Sequence, residues 1–287
     1  MSASVLFDLP GPKARRRHRI IGLVGVIVLA GLLGGFIFLM YQNDLLTADQ
    51  WEVFVTPQPY MLAIAEGIGQ TLAAAVVAIL FAALLGLVFG LGKIADTKAI
   101  QWPSWIFVEF FRAVPVLILI YFIFTAYGSG DGGIGPFWSL VIALSLYNGA
   151  VLAEVLRAGI NSVPKGQAEA AYAIGMRKTQ VMREVLVPQA VRIMLPAIIS
   201  QLVVALKDTS LGFAINAFTV SFVLSKQITG EFRNQLAAGL VLAAIYIILN
   251  IAVAKIATYG SDRLIGTQTQ GADDEAEKET QATNAGA

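Results

Sequence analysis

The sequence predicts an all-α integral membrane protein of six transmembrane helices, and three observations predict it. Of its 287 residues, 57% are hydrophobic and only 14% charged, too few polar groups to cover a soluble globule of this size. Six apolar runs each supply the ~20 residues that a helix needs to cross a bilayer core. The basic residues gather in alternate loops, the asymmetry that orients a multi-pass protein.

Residues 1–19 form a basic arm with Lys13, Arg15, Arg16, Arg17 and Arg19. The uncharged run behind it, Ile20 to Tyr41, is longer than a signal-peptide core and lacks a small-x-small cleavage site after it, so 20–41 reads as a retained anchor. The next spans are Met61 to Gly92, Trp105 to Tyr127, Phe137 to Arg157, Ala190 to Phe222 with an interruption, and Leu236 to Thr258. The basic arm, the Lys93 to Lys98 turn, the Lys165 to Arg192 segment and the flank with Lys255 and Arg263 fall on one side. The Gln42 to Tyr60 loop has three acids and no base, and the Gly128 to Gly135 loop has only Asp131. Both termini are therefore expected in the cytoplasm of a bacterial cell, with the chain multi-pass in its cytoplasmic membrane. The loop before the last span is the exception, with Lys226 and Arg233 outside beside Glu231. One membrane domain covers 61–263. The tail, 264–287, clusters Asp273, Asp274, Glu275, Glu277 and Glu279 with few large apolar residues and is expected to be disordered.

Much chemistry is excluded. There is no cysteine, which removes thiol redox and Cys-based metal sites. Around Gly92-Lys93, Leu87 stands where a phosphate-cradling loop needs its first glycine and Ile94 where it needs Ser or Thr, so no nucleotide site is encoded. His18, the sole histidine, sits among arginines and reads as one more polar cytoplasmic residue. No grouping of oxygen or nitrogen ligands suggests a metal. The net charge of +1 gives no sign of a nucleic-acid partner, and none is expected. The chain is expected to bind no cofactor and catalyse no reaction itself.

The polar segment 162–190 interrupts this apolar pattern. "KGQAEAAYAIG", Lys165 to Gly175, carries four alanines and closes on a glycine, the residue that most easily takes the left-handed conformation ending a helix. Pro164 suits the first turn. A second helix is expected from Thr179, as its N-cap, towards Leu186, with Pro188 breaking or kinking it. By its own physics this segment is either a connector packed on its own bundle or a short helix shaped to dock in a partner's groove.

Glu169-Ala170-Ala171, three residues, Gly175, nine residues, then Val185-Leu186-Val187-Pro188 resembles the EAA signature of membrane subunits of binding-protein-dependent ABC importers. The family more often has Ile and Leu at the positions of Val185 and Val187. "VEFFRAVPVLILIYF", "AEVLRAGINSVPKGQAEAAYAIGM", "VLVPQAVRIMLPAI" and "LKDTSL" look like blocks of the polar amino-acid permeases within that superfamily, over Met61 to Thr258. Among these, the chain looks most like glutamate uptake permeases of actinobacteria. The resemblance implies a MetI-like five-helix ABC permease core, with 20–41 as an extra N-terminal helix. It implies four partners: an ABC ATPase subunit that holds the ATP-Mg, a second permease (identical or not), an extracytoplasmic solute-binding protein and an amino-acid substrate. Carried over from the motif, Glu169, Ala170, Ala171 and Gly175, with Lys165 and Gly166 at the helix start, contact the ATPase.

Polar groups at membrane depth are costly and therefore candidates for a translocation path. Lys207 and Asp208 come about one span length after the cytoplasmic end of their helix, and Thr209, Ser210 and Gly212 behind them fall in an expected break, where unwound backbone must line protein or water. Lys207 and Asp208 are suited to the carboxylate and ammonium of an amino acid, or else pair structurally to fix the turn. Glu154 and Arg157, and likewise Glu109 and Arg112, are spaced i, i+3 and can pair on one face, as structural bridges or as a gate. Asn148, beside Tyr147, lies mid-span and lines the path or bonds helix to helix. The rival functions are an ion-coupled secondary transporter, which would need inverted repeats that are not found, and a non-transporting assembly subunit.

Overall fold

A computed structural model describes residues 11–55 and 59–285, apart from the side chains of residues 12 and 262–285. Two compact units divide the chain, Met1–Thr56 and Pro57–Ala287, and each is described by itself. In the first, α1 (Pro12–Gln42) opens on a proline, whose missing N–H is no loss in a first turn. The arginine run and the apolar span are thus one helix. The chain turns at Asp44, φ 56°, into the short α2 (Ala48–Glu52), where the Trp51 indole N–H donates to the Leu45 carbonyl at 3.0 Å.

The second unit begins with α3 (Tyr60–Lys93). Its buried residues Gly67, Thr71, Ala74, Ala78, Ala82, Gly86 and Gly90 recur every three or four positions, so they form one narrow stripe of small side chains. Across it lies α6 (Gly135–Ser162), answering with buried Gly149, Ala150 and Ala153. The approach is backbone-close: a Cβ added at Gly86 would sit 2.7 Å from the Leu152 Cβ, and one at Gly149 would sit 2.8 Å from the Leu85 Cβ. In a bilayer, where apolar surface alone does not drive helices together, such small-residue seams let dispersion contacts do so.

Between these two helices the sequence expectation needs correcting. Trp105 to Tyr127 is not one straight span but two helices, α4 (Lys98–Ala113) and α5 (Val116–Ile123), the latter extended by wider turns to Gly128 and meeting α4 at 102°. Pro115 causes the bend. Its ring disfavours the helical region for the preceding residue, and Val114 is extended, with ψ 126°. Five helices among the described residues are long and apolar enough to cross a membrane, Lys13–Gln42, Tyr60–Lys93, Gly135–Ser162, Lys178–Ile215 and Gln235–Ser261, and the bent pair is either a sixth, broken span or a re-entrant loop.

After α6, Val163 and Pro164 are extended and lead into α7 (Lys165–Ala173). Then α8 (Lys178–Gln180) runs through wide turns at Val181–Leu186 directly into α9 (Val187–Asp208). One local expectation fails here, and another takes its milder form. The N-cap is Arg177 rather than Thr179, because the Gln180 side chain reaches back to accept the Arg177 N–H at 2.8 Å. Pro188 does not end the helix, since the looser i→i+5 turns ahead of it make room for its ring.

The expected break at the end of α9 is present, as a 3-10 turn over Thr209–Ile215 closed by Asn216 at φ 58°. The chain continues through α10 (Val220–Phe222), wide turns at Val223–Ile228 and α11 (Thr229–Phe232) to α12 (Gln235–Ala285). The acidic tail expected to be disordered carries the backbone of α12, and its side chains lie outside the described residues.

Candidate functional site

Three polar places stand out in the second unit, and the first is α7. Its end is a Schellman closure. Gly175, at φ +83°, donates to the Tyr172 carbonyl at 2.9 Å, and Met176 donates to that of Ala171 at 3.2 Å, satisfying carbonyls that the last turn would leave bare. Ala171 faces inward and is buried. Lys165, Gly166, Glu169 and Ala170 face outward, and space is open around Gly166 and Gly175. Tyr172 and Ile174, 47% and 80% exposed, add an apolar edge. Gln189 donates to Gln167 at 3.2 Å and ties α7 to α9. Among the described residues Glu169 has no ion-pair partner. The helix is braced on one side and bare on the other.

The second place is a charge cluster at the far end of α3. Lys93, its side chain 6% exposed, lies 2.9 Å from Glu109 of α4 and 2.7 Å from Glu154 of α6. Glu154 is also held by Arg157 at 2.6 Å, and Glu109 has Arg112 at 3.6 Å. Both i, i+3 pairs anticipated in the sequence form. The residue that joins them was read only as part of a failed nucleotide loop and a basic turn. Nothing local singles it out, because its partners are 16 and 61 positions away. Nearby, Lys178 pairs with Asp96, linking the turn after α3 to α8.

The third place is the break after α9. Lys207 is exposed and Asp208 half-buried, and neither forms an ion pair among the described residues. The structure therefore does not bring these two together as a bridge. Thr209 is buried, its hydroxyl 2.6 Å from the Leu206 carbonyl and 3.2 Å from the Tyr246 hydroxyl of α12. The Ser210 carbonyl accepts from Ser221 at 2.9 Å. Asn148 is buried on α6. It donates to the Leu144 carbonyl at 2.8 Å and accepts from Gln201 of α9 at 2.5 Å, a helix-to-helix bond. An apolar hollow of about 600 Å³ beside Phe110, Val114, Ile118, Phe122, Ile142 and Leu146 offers no charge to an amino acid.

The family described as "Binding-protein-dependent transport system inner membrane component" matches residues 82–266. The chain is 41% identical to the glutamate transport system permease protein GluD of Corynebacterium glutamicum over 75% of this chain and 80% of that protein. It is 33% identical to the L-cystine transport system permease protein TcyB of Bacillus subtilis, over 59% and 71%. A crystal structure of an amino acid ABC transporter with histidines superposes with a TM-score of 0.65 at 28% identity, covering 71% of this chain and 95% of that one.

Proposed function

Because the chain belongs to the binding-protein-dependent transport system inner membrane components, we propose that it is the glutamate-carrying permease of an ATP-driven importer, moved through α7. The coarser statement stands on the family and its relatives: it is an amino-acid ABC transporter permease, a multi-pass membrane protein with a MetI-like core. In that setting the ion-coupled and assembly-subunit readings lose their ground.

The observation that carries the proposal is the bare face of α7. With no phosphate-binding loop in the sequence, the energy must enter from a separate ATPase bearing ATP-Mg. A short helix closed at Gly175, held from behind and open around Glu169, is the handle that the chain offers it. Glu169 gives this face a fixed negative charge, while Ala170 and Gly166 allow a partner backbone to come near. The positive charges of Lys93, Arg177 and Lys178 support a cytoplasmic position for this end of the second unit, with the solute-binding protein on the opposite side. A second permease completes the pathway.

The 41% identity to GluD supports glutamate over other polar amino acids. Lys207 and Asp208, unpaired at the helix break, are suited to its carboxylates and ammonium, with Thr209 and Ser210 shaping the turn. Glu154, tied up with Lys93 and Arg157, and Asn148, tied up with Gln201, serve the pathway as braces of its wall.

Glu169→Lys tests the coupling. In cells carrying the complete importer, L-glutamate uptake is expected to fall at least about tenfold, the effect of losing ~1.4 kcal/mol or more at a charged contact, with the permease still present in the membrane. Uptake at the wild-type level would refute the role of α7. Saturating uptake of another amino acid with none of glutamate would refute the substrate alone.

A further inference from the structure

Tyr246 has no place in the reading so far, yet its hydroxyl stands where four elements meet. From α3, Thr71 donates to the Gly67 carbonyl at 2.7 Å and accepts the Val220 N–H at 3.0 Å. From α10, Ser221 donates to the Ser210 carbonyl at 2.9 Å and pairs with Thr219 at 2.8 Å. Thr209, at the head of the 3-10 turn, lies 3.2 Å from Tyr246 of α12, and the hydroxyls of Thr71 and Ser221 also face that of Tyr246. Thr71, Thr209, Thr219 and Ser221 are all buried, and Tyr246 is 9% exposed.

The protons in this knot can be assigned. Thr209 has one, and the Leu206 carbonyl at 2.6 Å takes it, so the Thr209 oxygen is an acceptor towards Tyr246 and the phenol is the donor. The single proton of Ser221 goes to Ser210, so Thr219 donates to Ser221. Thr71 and Ser221, whose protons go to Gly67 and Ser210, face the phenol only as further acceptors, and Thr209 is the partner at hydrogen-bond distance. Thr71 and Tyr246 both lie about three turns, roughly 16 Å, inside the starts of their helices, near the middle of a ~30 Å hydrocarbon core. At that depth a broken helix needs its freed groups satisfied by neighbouring side chains, and the knot does this for both ends of the break. Close packing adds to it: a Cβ at Gly67 would lie 3.0 Å from the Val220 Cα, and one at Gly212 would lie 2.7 Å from the Leu140 Cδ2.

We propose that Tyr246 is a positioning residue for transport, its phenol O–H pinning Thr209 so that the adjoining Lys207 and Asp208 are held at a fixed place beside the translocation path. The inference rests on the reading that Lys207 and Asp208 meet the substrate. Asp208 directly precedes the pinned residue, whereas its own carboxylate has no hydrogen bond or close ion pair among the described residues, only the nearby charge of Lys207. Tyr246→Phe removes the donor and leaves Thr209 still bonded to Leu206, so the variant keeps the shape of the knot and loses only the tie to α12.

The test uses the complete importer in proteoliposomes, with L-glutamate as the probe. Tyr246→Phe is expected to lower saturating uptake per inserted permease by about three- to tenfold, the range that one lost hydrogen bond supports. The concentration of loaded binding protein giving half-maximal uptake should stay as in the wild type. Thr209→Val should give the same loss, and the double variant should be no worse than either single one. Normal uptake in Tyr246→Phe together with a defect in Asp208→Asn would overturn this inference and leave the pathway reading intact. Normal uptake in Asp208→Asn would overturn the pathway reading beneath it. A fall in the amount inserted, with normal uptake per inserted molecule, would reduce Tyr246 to a packing residue and also overturn the proposal.

Discussion

Replacing Lys93 with methionine keeps the bulk of the side chain's stem and removes its charged end. The change leaves Glu109 and Glu154, which now share one ammonium at 2.9 and 2.7 Å, facing each other across three helices. Removing one partner from a buried ion pair costs roughly 3–5 kcal/mol, much of it from the charge left behind. Here the figure must be discounted. Glu109 is 41% exposed, so solvent screens it, and Glu154 keeps Arg157 at 2.6 Å. About 1–3 kcal/mol remains. For a chain of this size each kcal/mol moves the melting temperature by about 2–4 °C. The purified Lys93→Met importer is therefore expected to melt roughly 2–12 °C lower. The informative comparison is Lys93→Met with Glu109→Gln. Removing the less supported acid should restore at least half of the loss, because Glu154 retains Arg157. If the single variant melts as the wild type does, or the added Glu109→Gln lowers the melting temperature further, Lys93 is not the tie that joins α4 to α6.

Two further outcomes follow from backbone geometry. Gly175→Ala must hold φ +83° with a Cβ, at roughly 1–2 kcal/mol, so uptake should fall several-fold. Gly175→Asn, which tolerates that region better, should transport more than Gly175→Ala, and equal uptake in the two would show that the Schellman closure is not needed. Gly86→Ala would set a methyl 2.7 Å from the Leu152 Cβ, and overpacking of this kind costs about 1–3 kcal/mol, read as reduced thermal stability. Gly22→Ala, with nothing within 4 Å, serves as the control and should not change it.

Hydropathy found the apolar segments and their order because a bilayer leaves a chain few other choices. It could not find their direction. Trp105 to Tyr127 is apolar on both sides of Pro115, and an apolar run reads the same whether straight or bent by 102°. The α7 segment was readable in detail because its shape is set locally, by four alanines and by a glycine within two residues of the last helical carbonyls. Pro188 takes effect without a gap: the turns before it widen at Val181–Leu186 and the chain runs on into α9. Lys93 and Tyr246 were out of reach. A lysine after a glycine in a basic turn, and a tyrosine in an apolar span, acquire their partners only when helices distant in sequence come together.

The link between α6 and α7 has a mechanical consequence. Only Val163 and Pro164 separate the two helices, both extended, and proline cannot rotate about its own N–Cα bond. There is almost no slack to take up. A displacement applied at α7 reaches α6 before any loop can absorb it. Since Gly86, Gly90 and Gly149 seat α3 and α6 backbone to backbone, the two helices must travel together. The joint works as a crank rather than a tether, and chain inserted between Ser162 and Lys165 would let the handle turn without the shaft.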